Sequence, residues 1–252
     1  MTLTILQDRD EGVMTLVLNR PEKRNALGTA MYCALTDALH AAAGDPSVGA
    51  VLLMGQAGAF CSGNEIEAFL GPEPVGVDHP VFAFMHALAD CPKPVVAAVD
   101  GMAIGIGATL LLHCDLVYAS PRARLQFPFA RLGLCPEFAS SLLLPKVAGR
   151  VWAAEALLLG EPISAEKAHH WGLVNEILPE AALEDHARNR ARALAALPAA
   201  AVLSTRRLLR AAEGDAVAQA LAREQQAFLA LLATDSVQQG FRDFLAARAA
   251  RG

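Results

Sequence analysis

The chain opens with two short apolar runs, each four to six positions long. In "LTILQDRDEGVMTLVLNR" (Leu3 to Arg20) they flank an acidic, glycine-containing break. This pattern predicts two β-strands joined by a turn at Asp10 to Gly12. "TAMYCALTDALHAAAGDP" (Thr29 to Pro46) follows with helical spacing and is stopped near Gly44 and Pro46. "VGAVLLMGQ" (Val48 to Gln56) is continuously apolar and predicts a buried strand. "DHPVFAFMHALADCPKP" predicts a helix with Asp78 as N-cap and Pro92 beyond its end. "PVVAAVDG" and "DLVYAS" predict strands, with a short apolar helix, "GATLLLHC", between them. From about Ala165 the pattern turns helical, and after Ala199 it is Ala-, Leu- and Arg-rich with almost no strand signal. Strand–helix alternation followed by helices predicts an α/β core, residues 1–198, and a C-terminal helical segment, residues 199–252, suited to oligomerisation.

Composition narrows the function classes. With 252 residues and 54% hydrophobic content the chain can bury a large core. Its formal net charge of −5 and lack of a basic block argue against nucleic-acid binding. No apolar stretch approaches the roughly 20 residues of a membrane span. Cysteines 33, 61, 91, 114 and 135 are odd in number and have no CxxC spacing, as expected of reduced thiols in the cytoplasm. The N-terminal "MTLTILQDRDEG" lacks a hydrophobic signal core. The histidine pair His169–His170 has neither HExxH spacing nor an acidic cluster, so no metal site is expected.

Chemistry concentrates in three places. "FCSGNEI" (Phe60 to Ile66) and "DGMAIGIGATLLLHCD" (Asp100 to Asp115) each run from a strand through a glycine turn toward a helix. Such turns free backbone N–H groups, and two of them facing one point could form an oxyanion hole from Asn64 and Ile106. The alternative is a pair of ordinary strand-to-helix turns. "GIGATL" is neither a dinucleotide fingerprint nor a Walker loop. Third, Glu137 is the only acid in the apolar "LGLCPEFASSLLLPKVAG" (Leu132 to Gly149). It is either an exposed first-turn acid favoured by the helix dipole or a carboxyl placed in a pocket for use.

"LNRPEKRNAL" (Leu18 to Leu27), "FCSGNEI", "PKPVVAAVDGMAIGIGATLLLHCDLVYAS" and "AEKAHHWGLVNEILP" (Ala165 to Pro179), in that order, resemble the crotonase, or enoyl-CoA hydratase/isomerase, family. The resemblance spans nearly the whole chain. It implies a crotonase-like spiral of ββα units and an acyl-CoA substrate, whose thioester carbonyl is held by the Asn64 and Ile106 N–H groups. It also implies CoA contacts from Lys23, Arg24, Ala26, Leu27, Ser62, Gly63, Glu65, Ile66 and Gly105. Coenzyme A would be part of the substrate, with no separate cofactor, and the assembly would be a homotrimer or hexamer. Arg248 could reach a CoA phosphate or be a solvated helix-end residue.

The departures bear on the reaction. Hydratases of the family carry two glutamates; the matching positions here are Thr109 and Phe129. What remains is Glu137, and "FPFARLGLCPEFASSLLLPK" is similar to the monofunctional Δ3,Δ2-enoyl-CoA isomerases. That resemblance implies a single glutamate carrying a proton from C2 to C4 of a 3-enoyl-CoA, as in fatty-acid β-oxidation. Another crotonase-type acyl-CoA reaction and a non-catalytic acyl-CoA-binding protein are the alternatives. The depth of the acyl site would then depend on Phe82, Phe84, Phe127, Phe129 and Phe138, each equally suited to the core.

Overall fold

The computed structural model describes residues 3–56, 58–70, 75–213 and 215–249, with side chains to residue 246. The Arg248 side chain and part of the Pro/Gly-rich loop after Leu70 therefore lie outside what is described. Strands β1 (Ile5–Asp10) and β2 (Val13–Leu18) form the expected antiparallel hairpin. Its turn places Glu11 and Gly12 at positive φ, the two left-handed positions of a tight hairpin turn. Helix α1 (Thr29–Gly44) leads to β3 (Ala50–Gly55), α2 (Pro80–Ala89) to β4 (Val95–Val99), and the short β5 (Met102–Ile104) to a single-turn α3 (Ile106–Thr109). A 3₁₀ turn, Leu110–His113, continues α3 into β6 (Leu116–Ala119), so the expected short helix is only partly α-helical.

Beyond β7 (Arg124–Gln126) come α4 (Ser140–Ala148), α5 (Arg150–Leu159), β8 (Ile163–Ser164), α6 (Ala165–His170) and β9 (Glu176–Ile177). Helical structure thus starts well before Ala165, and two short strands interrupt it. Helices α7 (Glu180–Ala195), α8 (Ala199–Ala211), α9 (Ala216–Leu232) and α10 (Asp235–Ala249) complete the chain.

One sheet has the order β1-β2-β3-β4-β6-β9, the other β5-β7-β8. From β2 to β9 the larger sheet is parallel, and β3 and β4 are buried along almost their whole length. This is why "AVLLM" and "VVAAV" are continuously apolar: helices cover both faces of such a sheet. On one face the main core joins α1 and α2 to side chains of α9, including Leu221, Phe228 and Leu232. On the other, Leu183, Ala187 and Ala191 of α7 close a second cluster.

The N-cap of α2 differs from expectation. His79, not Asp78, holds that place; its Nδ1 accepts the Val81 N–H at 3.3 Å, with Pro80 in the first turn. Proline favours that position because a first-turn residue needs no N–H. Among the described residues no helix is long and apolar enough to cross a membrane, and no cluster of His, Cys, Asp and Glu could hold a metal.

Candidate active site

The two glycine turns lie against each other. Cys61 and Ala103 form a bridge between them, and the Ile104 N–H donates to the Cys61 carbonyl at 2.9 Å. A Cβ on Gly107 would stand 2.7 Å from the Cys61 carbonyl oxygen, so only glycine permits the approach. Gly105 has φ +56° and ψ −120°, a conformation that other residues avoid; it turns β5 sharply into α3.

The ladder also sets the direction of the N–H groups. The Leu27 N–H donates to the Gly63 carbonyl at 2.8 Å, and the Glu65 N–H donates to the Leu27 carbonyl at 2.9 Å. In a parallel pair this uses the residues on either side of Asn64 and leaves Asn64 facing the other way. Ile106 is the first residue of α3, so its N–H has no partner inside the helix. Among the described residues neither the Asn64 nor the Ile106 N–H has a backbone acceptor.

A cavity of about 940 Å³ opens beside these turns. Lys23, Arg24, Ala26, Ser62, Gly63, Asn64, Glu65, Ile66 and Gly105 border it, so most of the binding residues expected from the sequence converge on one space. Leu27 does not. Its side chain is buried in the core, and its backbone holds the first turn. Ile106 is buried as well and offers only its backbone. Glu65 is clamped by Arg20 through two hydrogen bonds, 2.7 and 2.9 Å, and Lys23 lies 3.7 Å away. Arg20 holds the Glu65 carboxyl below its usual range, so the acid is spent on an ion pair at the cavity wall.

The expected phenylalanines mostly do not reach this space. Of the five, only Phe129 borders the cavity. Phe84 packs on Tyr32 and on Phe138, at centroid separations of 5.6 and 6.0 Å, and Phe82 and Phe127 are buried in the core. Phe69, Phe228, Phe241 and Phe244 border the cavity instead, the last three from α9 and α10. Sequence reading missed Phe228, Phe241 and Phe244 because they come from the segment assigned to assembly.

Glu137 is 3% exposed, which excludes the reading of it as a surface acid. It precedes a strained turn: Phe138 and Ala139 both have positive φ, at +61° and +55°. Such conformations cost about 1–3 kcal/mol each in non-glycine residues and persist only where the surroundings impose them. The Ser140 N–H and hydroxyl donate to the Glu137 carbonyl at 3.2 and 2.6 Å. His113 Nε2 donates to the Phe138 carbonyl at 2.8 Å, and its ring stacks on Phe138 at 4.1 Å. Burial pushes the His113 pKa down to about 4, which keeps it neutral in that role.

Burial, and then the nearby carboxyl of Glu224, raises the Glu137 pKa to about 8; the Asn64 side-chain amide acts in the opposite direction. Among the described residues Glu137 Oε1 is buried without a hydrogen-bond partner. Glu137 does not itself border the cavity, whereas Asn64 does. The Tyr32 hydroxyl donates to Asn64 Oδ1, so the Asn64 NH₂ is left to face the carboxyl. Neither Tyr32 nor Glu224 was foreseen. Both carried a signal: a tyrosine on the buried face of α1, and an acid at helical spacing between Leu221 and Phe228. Thr109 is buried with its hydroxyl on the Ile106 carbonyl, and Phe129 presents no acid.

Two glycine turns with N–H groups free of backbone acceptors, a cavity and a buried carboxyl meet in one place. Comparison places it: residues 8–251 match the enoyl-CoA hydratase/isomerase family, and the chain belongs to that family. Its fold is accordingly the crotonase fold. The chain is 39% identical to 1,2-epoxyphenylacetyl-CoA isomerase of Escherichia coli K12 over 201 residues, 77% of each chain. It is 35% identical to human enoyl-CoA delta isomerase 2 over 217 residues, 83% of this chain but 55% of that longer protein. A solved structure of OdaA from Pseudomonas aeruginosa superposes with a TM-score of 0.93 at 43% identity, covering 96% of this chain and 99% of that one. Relatives at similar identity carry hydratase names.

Proposed function

We propose that the protein is a Δ3,Δ2-enoyl-CoA isomerase. The observation that carries this reading is the buried carboxyl of Glu137, facing the Asn64 side chain of the first turn, together with Thr109 and Phe129 where a hydratase would hold acids. Hydration must hold and activate a water as well as move a proton, which suits two carboxylates. Isomerisation needs one base. Glu137 takes a proton from C2 of the 3-enoyl thioester; the C–H electron pair becomes the C1=C2 bond and the carbonyl π pair moves onto the thioester oxygen, giving a dienolate conjugated with C3=C4. The N–H groups of Asn64 and Ile106 receive that charge, each donor worth roughly 3 kcal/mol. Glu137 then returns the proton to C4, leaving the 2-trans double bond. C2 and C4 are roughly 2.5 Å apart, so one pivoting carboxyl reaches both. Because Oε1 has no partner among the described residues, no bond to them at that oxygen must break for the carboxyl to turn toward the cavity.

Lys23 and Arg24 at the cavity wall suit the CoA phosphates, with Ala26, Ser62, Gly63, Glu65, Ile66 and Gly105 forming the surface along which the thioester lies. CoA is part of the substrate in this reading, and no separate cofactor enters. Glu224 is a second acid near Glu137, but it does not border the cavity and its Oε1 is engaged by Ser141. That oxygen is therefore not free to hold a water. Appearance of conjugated-thioester absorbance from a 3-enoyl-CoA tests the reading. Hydration of crotonyl-CoA at a comparable rate would overturn it.

A second reading concerns the acyl group. Phe69, Phe228, Phe241 and Phe244 around the cavity suit a ring-bearing acyl chain. The likeness to 1,2-epoxyphenylacetyl-CoA isomerase points the same way. Preference for ring-bearing over straight-chain 3-enoyl-CoA esters in kcat/KM decides it.

A further inference from the structure

Helix α9 packs on α4, and Glu224, at 7% exposure, lies where they meet. Its Oε1 accepts the Ser141 backbone N–H at 2.9 Å and the Ser141 hydroxyl. Its backbone carbonyl accepts the Cys135 thiol at 3.8 Å. One residue of the C-terminal segment therefore holds both flanks of the stretch Cys135 to Ser141, and Glu137 sits between them. Glu224 Oε2 is buried without a partner among the described residues. An anchor for Ser141 needs only an acceptor, which a neutral side chain supplies without a buried carboxylate.

We propose that Glu224 is a positioning residue for Glu137: from α9 it clasps both sides of the turn that carries the base, and its charge shapes the field in which that base ionises. This rests on the reading of Glu137 as the base. The groups facing Glu137 are the Asn64 amide, Tyr32 of α1, Cys61 of the first glycine turn, Cys135 and Glu224. Those facing Glu224 are Ser141, the backbone of Ala139, Cys135 and Glu137, with Arg223 the nearby cation on its own helix. Burial raises the pKa of Glu224 too, so a state with one of the two carboxyls protonated is favoured over both being ionised together.

Two variants separate the clasp from the charge. Glu224→Gln keeps an acceptor for Ser141 and removes the charge. The acidic limb of its kcat/KM profile is expected to move to lower pH by roughly half a unit or more. Glu224→Ala also loses the clasp. Its kcat is expected to fall by tenfold or more, with KM within a few-fold of wild type, and further than in Glu224→Gln. A purely structural anchor would lower the melting temperature and leave the limb in place.

Titration of the Glu137 carboxyl by ¹³C NMR, in wild type and Glu224→Gln, gives a readout that needs no turnover and no Ala variant that folds. An unchanged Glu137 titration overturns the inference. Glu137→Gln separates the two failures: if it still isomerises, the base assignment falls, while the titration still reports whether Glu224 acts on Glu137.

Discussion

A carboxyl with a pKa of about 8 binds its proton more tightly in the folded protein than in the unfolded chain, where it titrates near 4.5. Its contribution to stability is therefore complete below about 4.5 and is lost as the pH rises to about 8, at about 1.4 kcal/mol per unit crossed. Glu137→Gln cannot ionise. Chemical denaturation at pH 5 and pH 8.5 is expected to show wild type losing stability relative to the variant as pH rises. Turnover of the variant is expected to fall by roughly 10²–10⁴, with CoA-ester affinity little changed. Wild-type kcat/KM is expected to rise with pH through about 8 as the base ionises. Tyr32→Phe tests the neighbouring link. It frees the Asn64 amide to turn its oxygen toward Glu137, and leaves Asn64 Oδ1 without its donor. A stability loss of about 1 kcal/mol, with kcat reduced by roughly tenfold and KM little altered, is the expected kinetic and thermal-melt outcome.

Among elements, the two turns are built as a pair. Each exposes an N–H because a parallel ladder or a helix start leaves it free, and their mutual distance is set by glycine against Cys61. Gly107→Ala places a methyl against the Cys61 carbonyl, with backbone on both sides unable to yield. The expected result is a destabilisation of roughly 1–3 kcal/mol, with loss of kcat exceeding loss of CoA-ester affinity, measured by denaturation and steady-state kinetics. Both turns were legible in the sequence, because strand, glycine and helix signals are local. The α2 cap was not: Asp78 is the cap residue type the sequence points to, and the observed His79–Val81 bond places the cap one residue later.

At the scale of the molecule, the C-terminal segment faces inward more than its composition suggested. Phe228 and Phe241 are buried in the core and border the cavity, and Glu224 holds the Glu137 turn. The exposed apolar side chains gather instead on α5, where Leu158 is 70% exposed beside Val151, Trp152 and Leu159, and on α8, where Leu209 is 72% exposed beside Leu208. Patches of this kind on one chain call for a covering surface. Light scattering at micromolar concentration is expected to give a homotrimer or hexamer, and Leu158→Glu or Leu209→Glu a smaller species; a wild-type monomer would contradict this.

The order of strands and helices in the α/β core, the glycine turns and the isolated acid of "CPEF" are written locally, in apolar periodicity and in residues whose backbone needs are particular. These determine the family, the turns and the base candidate. What they leave open is burial. An acid after proline reads the same whether it faces water or a core, and only the closing of α1, the first glycine turn and α9 around it puts Glu137 out of solvent. Tyr32, Asn64, Glu137 and Glu224 lie far apart in sequence, and their joint hydrogen bonds and charges exist only once helices and turns from both ends of the chain close on one another. The proton affinity of Glu137 is a property of that closure, because desolvation and a neighbouring carboxyl are its two largest causes.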